Sequence, residues 1–224
     1  MKMDFQTFVE AYWKYYLTLE RRLLKTEEYV AFDEFNNKTY SIEYLSLLQI
    51  ICSEIDVVAK AVALFHNPDF KGDNSNIKKW GFEVQQAFHD IDTQIVIFRE
   101  SREFSPWGKW KIITAIDKRG QKYYKYTDGS ASPAWWKSYN KVKHARTSVE
   151  DEHINFYRAN QINVLTSLAA LFSLNRFMMK KLSAEGYVDI ENSTIFAMHG
   201  WNDEIRESMY VAEDGSVSLR YRLP

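Results

Sequence analysis

From Asp4 to Tyr29 the apolar residues Phe5, Phe8, Val9, Tyr12, Trp13, Tyr16, Leu17, Leu19, Leu23 and Leu24 recur at steps of three and four. That spacing gathers them on one face of a helix, whereas a strand would split them between two faces. The N-terminus is therefore expected to form an amphipathic helix that needs a partner surface. Ser41, followed by Glu43 and Tyr44, reads as a cap opening a second helix that runs to about Phe65. His66, Asn67 and Pro68, then Gly72, Asp73 and Asn74, end it. The pattern predicts a third helix from Ile77 to Ile91 and a short one from about Ala134 to Thr147, after Pro133. A long helix is expected from about Glu150 to Leu182, ended by Gly186.

Strand signals are fewer. Ile112, Ile113 and Ile116, then Lys118, Arg119 and Gly120, then Tyr123, Tyr124 and Tyr126 read as a β-hairpin inserted at 110–126. Ile95 to Phe98 is β-branched and aromatic, and fits a strand as well as a helix. Apolar runs at 187–190, 195–198, 209–212 and 217–221, the last two about the turn Glu213-Asp214-Gly215, predict a short-stranded tail over 187–224. The expected fold class is mainly α, a helical bundle with one or two small hairpins inserted and at the C-terminus. A chain of 224 residues with 46% hydrophobic residues fits one domain over 1–224.

Lys and Arg number 29 against 30 Asp and Glu, so no whole-molecule field draws the chain to nucleic acid or anionic lipid. Any nucleic-acid contact has to be local. The lone Cys52 cannot form an internal disulfide, and Asp4 and Glu10 stand where a secretion signal needs basic then apolar residues. The low-polarity stretch from Val164 to Leu174 falls short of the roughly 20 residues a membrane span requires. A cytoplasmic protein that does not cross a membrane is the expectation.

Phosphate-binding glycine loops, paired cysteines, a nucleophile elbow and a helical His pair are missing from the sequence, so no cofactor and no metal is expected. Cys52 reads as packing. In the second helix Ser46, Gln49, Ser53, Asp56 and Lys60 form a polar stripe with an Asp56 to Lys60 pair. Glu54 lies off it, among Leu47, Ile50, Val57, Val58 and Ala61. It is either a structural salt-bridge partner or a site carboxylate. In the segment Trp135 to Arg146, helical spacing sets Trp136, Asn140 and Lys143 or His144 on one side. An amide, an ammonium and an imidazole suit proton transfer beside a bound phosphate, and equally suit capping of neighbouring helices.

The run Pro133 to Arg146, with its paired Trp, Tyr139-Asn140 and Lys143-His144, is followed by Tyr157-Arg158-Ala159-Asn160 and the apolar stretch Leu165 to Leu174. Together with Ser53-Glu54-Ile55-Asp56 and Lys60, these residues resemble an uncharacterised prokaryotic branch of the HEPN superfamily. Its members are helical proteins of abortive-infection and toxin-antitoxin systems. The likeness covers about half of the chain, in its helices. It implies an RNA-directed function, and in active members an Arg and a polar residue precede a His and cleave RNA without a metal. His144 matches that His and Asn140 the polar residue, while Tyr139 stands in the place of the Arg. Lys143, Arg146 or Arg158 would then have to supply the positive charge.

The resemblance makes His144 and Asn140 candidate catalytic residues of a metal-independent ribonuclease. Lys143, Arg146, Arg158, Trp136, Tyr139 and Glu54 become candidate substrate-binding residues, with Trp135, Trp136 and Tyr139 offering rings for bases. The alternative is a non-catalytic helical bundle that binds RNA, a nucleotide or a cognate protein, or serves as a dimerisation module. A homodimer is also expected, since HEPN-like sites are commonly built at a two-fold interface. The small residues of Leu168-Ala169-Ala170-Leu171-Phe172 would allow close packing between copies or within the chain.

Overall fold

The computed structural model describes residues 3–73, 75–150, 152–183 and 190–201 with their side chains, and 187–188, 208–211 and 217–222 as backbone. Asn74, Gly186 and the Glu213-Asp214-Gly215 turn, all singled out as stop or turn signals, lie outside the described residues. The chain is mainly helical, 53% helix against 13% strand, so its sheets are accessory to the helices.

The N-terminal periodicity yields a run of helix over 5–25. It comprises α1 (Phe5–Phe8), a π-helical turn (Val9–Trp13) and α2 (Lys14–Lys25). Asp4 caps it by accepting from the Thr7 amide at 2.7 Å. α3 (Ile42–His66) opens at Ser41, whose hydroxyl accepts from the Tyr44 amide at 3.0 Å, as the spacing predicted. α4 (Ile77–Ala87) is capped by Asn76 and stops short of Ile91 because Phe88 leaves the helix to stack on Phe177.

The stretch that fitted strand or helix is β1 (Val96–Phe98). It pairs antiparallel with β2 (Arg102–Phe104). Then come the hairpin β3 (Ile112–Ile116) and β4 (Lys122–Tyr126), where it was expected, and α5 (Ala134–Ala145). A two-residue-per-strand hairpin, β5 (Val149–Glu150) and β6 (His153–Ile154), and a 3-10 turn (Asn155–Arg158) lead into α6 (Gln161–Leu182).

The long helix therefore begins at Gln161 and not near Glu150. Glu150 is held by Lys141, and Asn155 Nδ2 donates to the carbonyl of Ala145 at the end of α5 (2.9 Å). Asn160 Oδ1 accepts from the Asn163 amide (3.2 Å). These polar side chains take the backbone groups that a continuing helix would have paired.

In the tail, β8 (Phe196–Met198) adds to the free side of β1, with Val96 facing both Phe104 and Met198. β7 (Tyr187–Val188), β9 (Ser208–Val211) and β10 (Val217–Arg222) form a further antiparallel sheet with β10 central.

The core lies between α3 and α6. Leu47, Leu48, Ile51, Ile55 and Val58 of α3 are buried, as are Leu165, Leu168, Ala169, Leu171 and Phe172 of α6. α6 is long and apolar enough to cross a bilayer by length and composition, and most of that surface is buried inside the chain. The Leu168 to Phe172 run is part of this internal packing, so it offers no surface to a second copy.

Five indoles close a circuit: Trp80 to Trp110, Trp107, Trp135, Trp136 and back to Trp80, with neighbouring centroids 4.5–5.8 Å apart. It joins α4, the base of the β3–β4 hairpin and α5. Gly81 admits it, because a Cβ there would lie 2.4 Å from the Trp110 ring.

Candidate nucleic-acid interface

α5 divides its residues sharply. Trp135, Trp136, Ser138, Tyr139 and Val142 are buried, while Lys137, Lys141, Lys143, His144 and Arg146 are exposed. The indole circuit fixes the buried side, with Trp135 Nε1 donating to the Pro106 carbonyl at 2.8 Å. At 3.6 residues per turn, this leaves a cationic surface turned outward.

Trp135, Trp136 and Tyr139, expected as stacking platforms for bases, have their rings buried in the core. Trp136 is 9% and Tyr139 7% exposed, and each ring is occupied by neighbouring aromatics. They hold α5 in place instead. Lys143 Nζ lies 5.4 Å above the Tyr139 ring, so the residue standing in the place of the expected Arg supports a cation without being one.

Asn140 Nδ2 donates to the Trp136 carbonyl one turn back, at 3.1 Å. That bond orients the amide and leaves Oδ1 available as an acceptor. His144 follows one turn later on the same side, exposed, and its ring makes no hydrogen bond to another described residue.

A second polar centre begins where α5 ends. Lys141 and Arg158 both reach Glu150, the former in a short ion pair and the latter at 3.3 Å. Arg158 Nε also donates to Asn155 Oδ1 at 3.0 Å, the residue that caps α5. The Lys141 ammonium first, and Arg158 after it, hold the Glu150 carboxyl below the usual glutamate range. Beside them opens a cleft of about 500 Å³ lined by Lys38, Tyr40, His153, Tyr157, Arg158 and Asn160. Tyr40 and Tyr157 stack across it, 4.3 Å between centroids.

Lys141 belongs to the basic segment 137–146 that the sequence offered for phosphate contact, but its pairing with Glu150, the role of Asn155 and the cleft were not legible there. Glu150 meets Lys141 only because the β5–β6 hairpin folds the chain back, and no spacing rule announces that.

Glu54 stands apart from this group. Among the described residues it makes no hydrogen bond or ion pair with α5, and burial raises its carboxyl above the usual range. Its charge is felt at Tyr12, whose hydroxyl is raised by burial first and by Glu54 second. The expected Asp56 to Lys60 pair forms at 2.5 Å, and Asp56 also accepts from Trp80 Nε1 at 2.9 Å. Cys52 is buried in α3 with its thiol pushed well up, the packing role its setting suggested. Among the described residues no three His, Cys, Asp or Glu side chains are grouped to hold a metal ion.

Comparison of the chain with family models, with curated proteins and with solved structures finds no match.

Proposed function

We propose that this chain is a HEPN-like helical bundle of the prokaryotic defence or toxin-antitoxin kind, forming one domain and acting on or binding RNA around His144. The observation that carries the reading is the two-sidedness of α5. Its aromatic face is locked in the core and its opposite face presents Lys137, Lys141, Lys143, His144 and Arg146 to solvent. Such a surface binds a phosphodiester backbone locally, in a chain whose overall charge does not.

In a cleavage reaction His144 exchanges a proton with the attacking ribose hydroxyl or the leaving oxygen. Asn140, one turn earlier on the same side, orients the imidazole or the scissile phosphate once substrate is bound, and Lys143 and Arg146 balance the charge that develops on phosphorus. The nucleophile belongs to the substrate, so the residues named suffice without a metal.

A second reading is favoured by Tyr139. A buried phenol where active relatives of the proposed family carry Arg leaves that part of the site without a guanidinium, which suits binding without turnover. In that form the same surface serves as a docking site for RNA, a nucleotide or a cognate protein.

Incubation of purified protein with end-labelled single-stranded RNA separates these readings. Cleavage that His144→Ala abolishes while binding persists supports the ribonuclease. Binding without cleavage, weakened by Lys143→Ala, supports the non-catalytic form. RNA degradation by wild type and His144→Ala alike removes the first reading; failure of the wild type to bind RNA removes the first reading and leaves the second only with a nucleotide or a cognate protein as ligand.

A further inference from the structure

The β3–β4 hairpin carries a positive excess that the chain as a whole lacks. Between Lys111 and Tyr126 stand Lys111, Lys118, Arg119, Lys122 and Lys125 against a single carboxylate, Asp117, in a chain whose net charge is -1. The compensating negative excess lies elsewhere in the sequence. A two-stranded ribbon with this density of cations is a local attractor for polyanions.

Its geometry sorts those residues by role. Ile112, Tyr124 and Tyr126 face inward; Tyr124 meets Phe82 of α4, and Lys122 lies 5.7 Å over the same Phe82 ring. The register sets Ile113 opposite Lys125 and Ala115 opposite Tyr123 on the outer face. Tyr123 is 43% exposed there.

At the tip, Asp117 Oδ1 accepts from the amides of Arg119 and Gln121, both at 2.8 Å, and Gly120 takes a positive φ of 76°. The one acidic group is thus spent on fixing the turn, which presents Lys118 and Arg119 outward. Lys118, Arg119 and Lys125 make no ion pair with another described residue, whereas Lys111 pairs with Asp92. Among the described residues neither strand pairs with a third, although the Ile112 amide at the base of β3 donates to Gln85 Oε1 at 3.0 Å.

We infer that the hairpin is a second nucleic-acid contact, an arm for single-stranded RNA. Lys118, Arg119 and Lys125 meet successive phosphates and Tyr123 receives an unpaired base on its ring. The arm shares its ligand class with the RNA-binding reading of α5 and uses none of the same residues. The indole circuit packs its base against α4 and α5, so the two basic surfaces are joined through one aromatic cluster. Aromatic stacking with flanking cations accepts any sequence, because every base has a π-face.

The test is fluorescence anisotropy of a labelled oligouridine against full-length protein, titrated at several salt concentrations between about 50 and 200 mM. The proteins compared are wild type, a Lys118→Gln/Arg119→Gln/Lys125→Gln variant, Tyr123→Ala, and Lys143→Ala/Arg146→Ala. The hairpin changes are all on exposed side chains, and circular dichroism confirms that each variant is folded.

The expected result is a loss of at least about tenfold in affinity for the triple variant. Its plot of log affinity against log salt becomes shallower by about two, from roughly 0.7 per single-strand phosphate contact. Tyr123→Ala weakens binding and leaves that slope unchanged.

Wild-type affinity and slope in the triple variant overturn the arm, and leave the α5 reading standing if Lys143→Ala/Arg146→Ala loses affinity. The reverse pattern supports the arm and removes the α5 site. Capture of the wild type by phosphatidylserine vesicles but not by RNA overturns both.

Discussion

The Tyr16 hydroxyl donates to Glu20 at 2.5 Å in the interior of the chain, and Glu20 is 2% exposed. The same carboxylate accepts from Ser193 Oγ, the Thr194 amide and Thr194 Oγ1 at 2.5–2.8 Å. One buried acid therefore ties the segment before β8 to α2. Glu20→Ala strands these donors and is expected to cost roughly 3–5 kcal/mol in urea unfolding, with Glu20→Gln costing less. Faster hydrogen exchange at the Thr194 amide would mark the loss locally.

Tyr16 itself makes a pH prediction. Burial, and then the Glu20 charge, hold its hydroxyl well above the ordinary tyrosine range. Because the folded value is the higher one, its contribution is intact below the unfolded value near 10 and is lost as pH rises toward the folded one. Stability measured by urea should fall above about pH 10, and less steeply in Tyr16→Phe.

Glu54 runs the same sign in the acid range. Its carboxyl is raised by burial from an ordinary 4.5, so its contribution is present below that value and lost as pH rises through the folded one. At neutral pH the ionised group is a net cost. Half exposure limits the effect, so Glu54→Gln should gain less than about 1 kcal/mol at pH 7 and nothing near pH 4. Equal stability of the two proteins at both pH values would show that water already solvates the carboxylate.

Glu150 offsets part of the positive charge of Lys141 and Arg158, both of which it pairs with beside the proposed RNA face. Its replacement by Gln releases positive charge toward a ligand, and RNA affinity is expected to rise several-fold with a steeper salt dependence. Unchanged affinity would place the bound strand away from this end of α5.

Gly81→Ala brings helix propensity and packing into opposition. Alanine favours a helix by about 1 kcal/mol, but its Cβ would sit 2.4 Å from the rigid Trp110 ring and 2.8 Å from Ile112. The clash should prevail by roughly 1–3 kcal/mol. A Tm lower by several degrees and an altered near-ultraviolet tryptophan spectrum would record it.

The helices were legible because local rules decide them. Ser41 supplies the cap that opens α3, and three and four residue spacing marks 5–25. The β3–β4 hairpin was legible for the same reason, through Gly120 and the flanking β-branched and aromatic residues. What escaped depends on partners distant in sequence. β1 is a strand because β2 and β8 flank it, and α6 starts late because Asn155 and Asn160 divert the backbone.

The candidate site was half legible. Exposure of Lys143, His144 and Arg146 follows from the helix period. The burial of Trp136 and Tyr139 depends on an indole circuit assembled from three separate stretches. The ion cluster at Glu150 depends on a hairpin whose strands hold two residues each.

β8 also sets a timetable for synthesis. β1 and β2 leave the ribosome together, but the strand that completes their sheet lies about a hundred residues later. At roughly 5–20 residues per second, one edge of β1 waits on the order of 5–20 s for its neighbour. During that interval Phe98 and Phe104, later buried, belong to an unfinished sheet with a pairing edge still open. The nascent chain is accordingly open to wrong pairing from the emergence of β2 until residue 198 has emerged, the interval in which α5 and α6 are being made.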